Sequence, residues 1–465
     1  MEKVIRFLIF GWAVLMQWGV IAQKEANIWY FGENAGLDFS TGAPVPLLNS
    51  AMNKDEGCSS ISDAGGNLLL YTDGMRVWNK NHQQMPNGFG LGGHESSTQS
   101  ALIVPKPGSN TLFYIFTTDA FFYAKGLSYS VVDMSLQGGL GNVTIKNTLL
   151  HTPSTEKLTA VKHANSTDIW VISHGCNSNV FHTYLVSASG VSAPVNSNAG
   201  AIHTGGGSLG TQNAIGCMKA SPDGTKLALA VYSLSLVELF SFNTTTGMVS
   251  APVSFPQVYA NVYGIEFSPD NTKLYFTSDT TVFQADLGAG SASAIINSTL
   301  PAGKINWGPF GPGTNYLGAL QLGPDGMIYG TSFFSEYLFV IQNPDAPGIE
   351  CGFAEQGVWL GGRHCYGGLP GFVQSYFSAL PQNVPVDQEY SVHPVIYPNP
   401  SKGGVTVICK PYTDRIQIVN TLGMLVFDTD IHLNIPIVMD NLPAGTYALI
   451  AESKGHRMIT KFLVL

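Results

Sequence analysis

The chain has 465 residues, which is enough for one large domain with its own hydrophobic core and a second, small one. Hydrophobic residues make up 45% of the chain and charged residues only 11%, so small polar residues must cover much of the surface. The net charge of -9 argues against nucleic acid or an anionic membrane surface as a partner, because both reward a basic patch.

The N-terminus has the parts of a secretory signal peptide. Lys3 and Arg6 supply positive charge, and residues 7–20 form a short apolar stretch. We expect residues 1–22 to be removed on export, which leaves Gln23 as the first mature residue. A membrane anchor is the alternative, but the apolar stretch is shorter than a bilayer requires, and we expect no membrane span in the mature chain.

Six segments share one order of strand, tight turn, strand, loop and strand. In chain order they are residues 56–78, 98–132, 158–185, 213–242, 263–287 and 317–342. The clearest turn is Ser221-Pro222-Asp223-Gly224, in which proline fixes φ, aspartate bonds its own backbone and glycine takes positive φ. The segments start roughly 40–60 residues apart, which is the spacing of four-stranded propeller blades.

A seventh unit is divided between two distant segments. Residues 28–39 have the pattern of a second and third strand, and residues 369–377 have that of a first strand. Joining them in one blade would close the ring and remove its exposed edges. We therefore predict an all-β chain with a seven-bladed β-propeller over residues 23–380; six or eight blades are the alternative counts.

The composition changes after the propeller. Residues 381–394 have no apolar period, which predicts a linker. From 395 to 465, short strands recur at about 10-residue spacing between turn residues, which predicts a small Ig-like β-sandwich.

Four motifs of this last segment resemble the C-terminal sorting domain, in its type A form, of cargo of the type IX secretion system of Bacteroidetes. They are YPNPSKG, IVNTLGMLV, NLPAGTY and the terminal KFLVL. The resemblance implies passage through the outer membrane, a secreted or outer-membrane-surface location, and the type IX machinery as a partner. Segments such as NIWYFGENAGLDFSTG also resemble uncharacterised propeller regions of such secreted proteins. That resemblance implies a fold and a location but gives no information on activity.

No nucleophile, zinc-protease or phosphate-loop motif is present, but the repeats align several acidic or imidazole side chains. They follow the second strand of a blade, precede the first strand, or precede the predicted closing strand. These candidates are Glu33, Asp73, Asp119, His174 and Asp279, then Glu56 with Glu156 nearby, and Arg363. In a propeller these loops surround the channel on one face, so we expect the side chains to converge there.

Several carboxylates in one place would suit a divalent cation, a glycan or, at about 5–9 Å separation, glycoside hydrolysis. The competing explanation is structural, because turns favour aspartate for backbone reasons alone. Arg363 is equally suited to a structural ion pair and to an anion site. No cofactor is expected beyond such a cation.

Six cysteines in an exported chain permit disulfides. Cys351 and Cys365 are close in sequence, and we expect them to pair across a short loop. A Cys176–Cys217 pair between neighbouring blades is a second candidate, while Cys58 and Cys409 have no assigned partner.

Three functions remain open from the sequence. The leading hypothesis is a non-enzymatic secreted or surface propeller that binds a glycan or a protein. The first alternative is an enzyme that acts on polysaccharide through the channel-face carboxylates. The second alternative is a purely structural surface protein.

Overall fold

A computed structural model describes residues 23–120, 125–204, 212–306, 316–378, 395–397, 400–408, 414–431, 437–453 and 456–465. The predicted signal peptide, the predicted linker and Cys409 lie outside these ranges. In the part of the chain that is described, no helix is long and apolar enough to cross a membrane.

The described residues from 23 to 378 form seven antiparallel sheets, one of three strands and six of four, which confirms the predicted seven-bladed propeller. The seventh blade contains β1 (Ile28–Phe31), β2 (Ala35–Asp38) and β3 (Val45–Leu47). The first contains β4 (Ser59–Ser62), β5 (Leu68–Thr72), β6 (Arg76–Asn79) and β7 (Gln84–Phe89), and the second β8 (Ala101–Pro105), β9 (Leu112–Thr118), β10 (Leu127–Asp133) and β11 (Asn142–His151).

The remaining four blades follow in chain order. The third contains β12 (Ser154–Lys162), β13 (Ile169–Gly175), β14 (Val180–Ser187) and β15 (Gly190–Asn198), and the fourth β16 (Met218–Ala220), β17 (Lys226–Val231), β18 (Leu236–Phe242) and β19 (Val249–Ser254). The fifth contains β20 (Val262–Phe267), β21 (Lys273–Ser278), β22 (Thr281–Asp286) and β23 (Leu300–Lys304), and the sixth β24 (Leu317–Leu322), β25 (Ile328–Ser332), β26 (Tyr337–Ile341) and β27 (Phe353–Trp359).

Helices are few and short among the described residues. They are the α-helix α1 (Ala292–Asn297) and the 3-10 helices Lys24–Ala26, Gln137–Gly139, Tyr232–Leu234, Leu287–Ala289, Gly348–Cys351 and Gln374–Phe377.

The turn between the first and second strands forms as its sequence predicts. In the fourth blade, Asp223 Oδ1 accepts the Thr225 N–H at 2.9 Å and Gly224 has a φ of 75°. In the fifth blade, Asp270 Oδ1 accepts the Thr272 N–H at the same distance. These local bonds explain why the repeat is readable from sequence alone.

The first strands of neighbouring blades pack against one another around the axis, as β12, β16, β20 and β24 do in succession. Because neighbouring strands in a blade are antiparallel, first strands begin and second strands end on the same side of the ring. We call this side the mouth face and the opposite side the far face.

The prediction of a first strand over residues 369–377 is wrong. Among the described residues, β1 pairs only with β2, and the segment runs through the channel instead. Pro370 forms a parallel bridge with Cys58 and Val373 forms one with Ala160 of β12. The segment ends in the 3-10 helix Gln374–Phe377, so the chain fills its own channel.

Three features explain this path. Pro370 has no N–H to donate to a ladder. Gly368 lies so close to the first blade that a Cβ there would be 2.0 Å from the Glu56 carbonyl oxygen. Phe372, Val373 and Phe377 are buried, and the Phe372 ring lies 5.8 Å from that of Trp29 in β1. Apolar side chains therefore fill the axis next to the blade that they were predicted to complete.

The segment from 395 onward forms two sheets that share one apolar core, as a β-sandwich does. The sheets comprise β28 (Val395–Tyr397), β29 (Val405–Ile408) and β32 (Ile437–Met439), and β30 (Arg415–Asn420), β31 (Leu425–Asp430), β33 (Gly445–Ser453) and β34 (His456–Val464). The predicted sandwich is confirmed, with β28 and β32 as strands that the sequence pattern did not reveal.

The predicted Cys351–Cys365 disulfide is not formed. Both thiols are free and buried: Cys351 Sγ faces the Ala302 carbonyl oxygen, while Cys365 Sγ donates to the Ser332 carbonyl oxygen at 3.1 Å. Nearness in sequence is misleading here, because β27 lies between the two and spans the blade. Cys58, Cys176 and Cys217 are free as well.

Candidate functional site

Two predicted site residues bind their own backbone. Asp73 is 1% exposed, and its Oδ1 accepts the Met75 N–H at 2.8 Å. Asp119 is buried too, and its two carboxylate oxygens accept the N–H groups of Ala120 and Lys125 at 3.0 and 3.1 Å. Both carboxylates therefore stabilise loops of the mouth face, as the structural explanation of turn aspartates requires.

His174 is part of a buried imidazole pair. Its ring stacks on His203 with centroids 3.8 Å apart, and its Nδ1 donates to the Gly175 carbonyl oxygen at 2.8 Å. His174 Nε2 and both ring nitrogens of His203 are buried without a hydrogen-bond partner among the described residues. Burial, aided by the charge of Lys157, lowers the pKa of His174 to about 3, and burial lowers the pKa of His203 well below its usual value.

This pair predicts a stability that falls in acid. Both histidines stay neutral in the folded chain, whereas in the unfolded chain they take up protons below about pH 6.5. The contribution of the pair is therefore complete above that pH and declines as the pH falls towards 3, by about 1.4 kcal/mol per pH unit for each histidine. Urea unfolding at several pH values measures this slope.

Two variants are compared with the wild type. His203→Phe removes one imidazole of the pair, whereas Phe181→Leu changes a neighbouring ring that lies 4.7 Å from the ring of His174. We expect His203→Phe to reduce the slope. Phe181→Leu removes no titrating group and should lower stability equally at every pH. Equal slopes in wild type and His203→Phe would show that the imidazole pair does not control acid stability.

Glu56 lies at the channel mouth, close enough to Glu156 for the two carboxyl groups to interact. Glu156 is fully buried, and its Oε2 accepts both the N–H and the hydroxyl of Thr98, at 2.8 and 2.7 Å. Burial first, and then the negative charge of Glu156, raise the pKa of Glu56 well above its ordinary value. Such a pair has the electrostatics of an acid–base site, but only Glu56 is partly exposed.

Two buried lysines surround this pair. Lys157 Nζ donates to the carbonyl oxygens of Ala214 and Ile215 at 2.9 and 3.0 Å, and burial lowers its pKa to about 7 against the opposing effect of Glu156. Lys54 Nζ donates to the His94 carbonyl oxygen at 2.6 Å. Burial lowers the pKa of Lys54, and the nearby Asp73 and Glu56 oppose this effect. Lys157 thus links β12 to the loop before the fourth blade, and Lys54 links the segment before the first blade to the loop that follows this blade.

Little space remains below the mouth. The axial cavity has a volume of about 20 Å³ and is lined by Lys219, Thr98 and the channel segment at Leu369 and Gly371. This volume suits a single water molecule. It is far too small for a sugar ring, so this cavity is not a substrate site.

Two further predicted residues, Asp279 and Arg363, have hydrogen-bond partners in other blades. Asp279 accepts the side-chain amide of Asn261 at 2.7 Å in the fifth blade. The Arg363 guanidinium is 3.4 Å from the Leu48 carbonyl oxygen, beside the third strand of the seventh blade.

The exposed part of the mouth face centres on Glu33. Its Oε2 lies 3.0 Å from His364 Nδ1, and the other ring nitrogen of His364 lies 3.8 Å from Glu336 Oε1. All three side chains are between 36% and 47% exposed. An imidazole flanked by two carboxylates is thus open to solvent at the junction of blades six and seven.

Two aromatic rings lie beside these three ionisable side chains. Phe334 is 44% exposed and meets the Tyr366 ring edge-on at 4.8 Å. Phe334 has a φ of 59°, which is rare for a bulky residue and costs about 1–3 kcal/mol. We call Glu33, His364, Glu336, Phe334 and Tyr366 the rim cluster.

Only Glu33 of the rim cluster was predicted. Phe334 and Glu336 follow the second strand of the sixth blade, the same position as Asp73 in the first blade, so the repeat alignment contained their signal. His364 directly follows Arg363, but its contact with Glu33 joins two segments far apart in the chain, and no local pattern reveals it.

The predicted cation site finds no support in the geometry. Among the residues that the structure describes, no three His, Cys, Asp or Glu side chains are grouped so that they could hold a metal ion.

Comparison with known proteins identifies the C-terminal part. Residues 395–465 match the family described as the secretion system C-terminal sorting domain. The protein is therefore an exported β-propeller protein that carries a type IX sorting domain, which directs it to the cell surface or the medium. The sorting domain implies an interaction with the type IX secretion machinery. No curated protein matches the chain by sequence.

Solved structures that the chain resembles include PorZ, a surface component of the type IX secretion system of Porphyromonas gingivalis. It shares 12% identity and a TM-score of 0.41, with 94% of this chain and 59% of that chain covered, so this chain spans less than two thirds of it. A periplasmic gluconolactonase from Pseudomonas aeruginosa shares 11% identity and a TM-score of 0.38, with 79% and 94% covered. A propeller domain from Myceliophteria thermophila shares 10% identity and a TM-score of 0.37, with 66% and 93% covered.

Proposed function

We propose that this protein is an exported propeller that binds a glycan or a protein at its mouth face and performs no chemistry on it. The rim cluster carries the proposal. Exposed aromatic rings supply apolar contact area, and the neighbouring carboxylates and imidazole supply hydrogen bonds, a combination that suits both kinds of ligand. The strained backbone of Phe334 supports this, because strain of this kind concentrates at functional sites.

The test compares the mature protein with Phe334→Ala and His364→Ala on a glycan array and on an immobilised cell-surface protein fraction. We expect both variants to lose about tenfold in affinity, the effect of a contact worth roughly 1.4 kcal/mol. The matched control is Phe89→Ala, because Phe89 is a comparably exposed ring, at 55%, in the first blade away from the rim. Equal binding by all four proteins would exclude the rim cluster as the site.

A polysaccharide-active enzyme is the second candidate, and one observation favours it. The raised pKa of Glu56 would allow it to act as a general acid beside Glu156. The buried position of Glu156 and the small axial cavity count against this function. Release of reducing ends by the wild type, lost in Glu56→Gln, would establish the enzyme in place of the binding module. A structural surface protein would show neither binding nor turnover.

A further inference from the structure

An open cleft of about 400 Å³ lies between the seventh and first blades, away from the rim cluster. It is bordered by the far-face turns at 65–67 and 80–82 and by the strands of the seventh blade, and we call it the blade-junction cleft. The polar residues on its walls are Tyr30, Asp38, Ser40, Asn49, Asn67, Lys80, Asn81 and His82. Its volume falls within the range of small-molecule sites, about 300–1,000 Å³.

A stack of aromatic rings adjoins the cleft through Tyr30, which lies on its wall. Tyr30 and Tyr71 lie 4.6 Å apart, and Tyr71 stacks on Trp78 at 5.3 Å with nearly parallel planes. Tyr30 and Tyr71 are almost completely buried. Because these rings are held by packing on both sides, the hydroxyl groups that they present keep fixed positions.

Tyr71 positions the ring of His82. The Ala51 N–H donates to the Tyr71 hydroxyl oxygen at 3.0 Å, and the same hydroxyl is hydrogen-bonded to His82 Nδ1 at 3.2 Å. Burial lowers the pKa of His82, which favours the neutral ring. A neutral imidazole held through Nδ1 keeps its other ring nitrogen for a ligand hydroxyl, as donor or as acceptor according to the tautomer. His82 therefore presents a positioned polar group to the cleft.

Two further groups on the wall are held in place. The Tyr30 hydroxyl donates to Asn49 Oδ1 at 3.0 Å, which leaves the side-chain amide N–H groups of Asn49 as donors. Asp38 Oδ1 accepts the Ser40 N–H at 2.7 Å, so the carboxylate is a positioned acceptor. Lys80 carries the charge that balances Asp38, and the wall is neutral overall.

We propose that the blade-junction cleft binds a neutral saccharide. Phosphate or another anion would need an excess of cationic groups, whereas the cleft has one of each sign. An apolar ligand would need an enclosed apolar cavity, whereas this cleft is open and densely polar. A sugar offers hydroxyl groups that both donate and accept, which matches His82, Asn49 and Asp38 in turn, and its C–H faces match the partly buried Leu47 and Leu68 of the cleft.

The experiment is calorimetric titration of the mature full chain with cellohexaose, laminarihexaose and chitohexaose. At least one of the three is expected to bind. Asn49→Ala should weaken that binding about three- to tenfold, the effect of losing one or two hydrogen bonds. Asn81→Trp places a large side chain at an exposed wall position and should abolish binding. Both residues are exposed, and an unchanged thermal midpoint confirms that the variants are folded.

Phe89→Ala is the matched control, because Phe89 is exposed and belongs neither to the rim cluster nor to the lining of the cleft. We expect it to bind the hexasaccharide as the wild type does. Binding that is lost in His364→Ala but kept in Asn49→Ala and Asn81→Trp would overturn the cleft proposal and support the rim cluster. Failure of all three hexasaccharides to bind the wild type would overturn the cleft proposal while leaving rim binding to be judged by its own variants.

Discussion

Replacing Glu266 by glutamine is expected to lower the free energy of unfolding of the propeller by about 3–5 kcal/mol. Glu266 is fully buried, and its Oε2 lies 3.0 Å from Lys219 Nζ, whose side chain is 5% exposed. The same oxygen accepts the Leu322 N–H at 3.0 Å, and Lys219 also donates to Gln321. Glu266→Gln would therefore leave an uncompensated ammonium charge beside the axial cavity.

Urea unfolding followed by intrinsic fluorescence measures this loss, and two variants serve as controls. The double variant Lys219→Met with Glu266→Gln removes both charges, and we expect it to be more stable than Glu266→Gln alone. Asp286→Asn disrupts the more exposed pair with Lys273, at 3.1 Å, and should cost at most about 1 kcal/mol. The single variant Lys219→Met completes the cycle, and a double variant that loses the sum of the two single losses would contradict a coupled buried pair.

The second large effect concerns export. The terminal strand β34 alternates between buried and exposed residues: Phe462 and Val464 are each 2% exposed, whereas Ile459 and Leu463 are 60% and 37% exposed. Deleting residues 461–465 would disturb the core and the outer surface together. We expect Ile459→Ser with Leu463→Ser to leave the sandwich folded but to retain most of the protein in the periplasm of a host with type IX secretion, because a receptor would contact the outer surface.

Cell fractionation with immunoblotting measures this retention. The control is Leu425→Ser with Val426→Ser, the same chemical change at exposed positions of β31 on the opposite edge of the same sheet. We expect the control protein to reach the surface or the medium. Normal export of the β34 variant would show that the secretion machinery does not recognise the exposed side of this strand, and that the strand contributes only to folding.

The blades were predictable because interactions between residues close in sequence determine their turns and strands. Each turn between first and second strands depends on residues within about four positions, as Asp223 with Thr225 and Asp270 with Thr272 show. Buried strands such as β17 are almost wholly apolar and are readable for the same reason. The sorting domain was recognisable because two of its motifs, IVNTLGMLV and NLPAGTY, contain the turns and strand ends of the sandwich.

Contacts between distant segments were not predictable. The channel path of residues 369–377 depends on the close approach of Gly368 to Glu56, about 300 positions earlier in the chain. The sequence pattern showed an apolar strand-like run and contained no sign of where its backbone would bond. The Cys351–Cys365 prediction failed for a related reason, because proximity in sequence does not measure proximity across an intervening strand.

The same limit applies to the candidate site residues: their face of the propeller was predictable, whereas their contacts were not. Repeat alignment placed Glu33, Glu56 and Asp73 on the mouth face, but it could not distinguish a carboxylate that binds its own turn from one open to solvent. Asp73 bonds backbone N–H groups, whereas Glu33 meets His364 in an exposed contact. Replacing Asp73 or Asp119 would therefore disturb loop structure, and the rim variants give the cleaner test of function.

Binding without cleavage is tested directly by incubating the mature protein with a glycan selected on the array and analysing both the protein and the glycan at equilibrium. We expect saturable binding, weakened in Phe334→Ala, and recovery of the glycan at its original length after long incubation. Shortened oligosaccharides or new reducing ends with the wild type, absent with Glu56→Gln, would contradict the account and identify the protein as an enzyme.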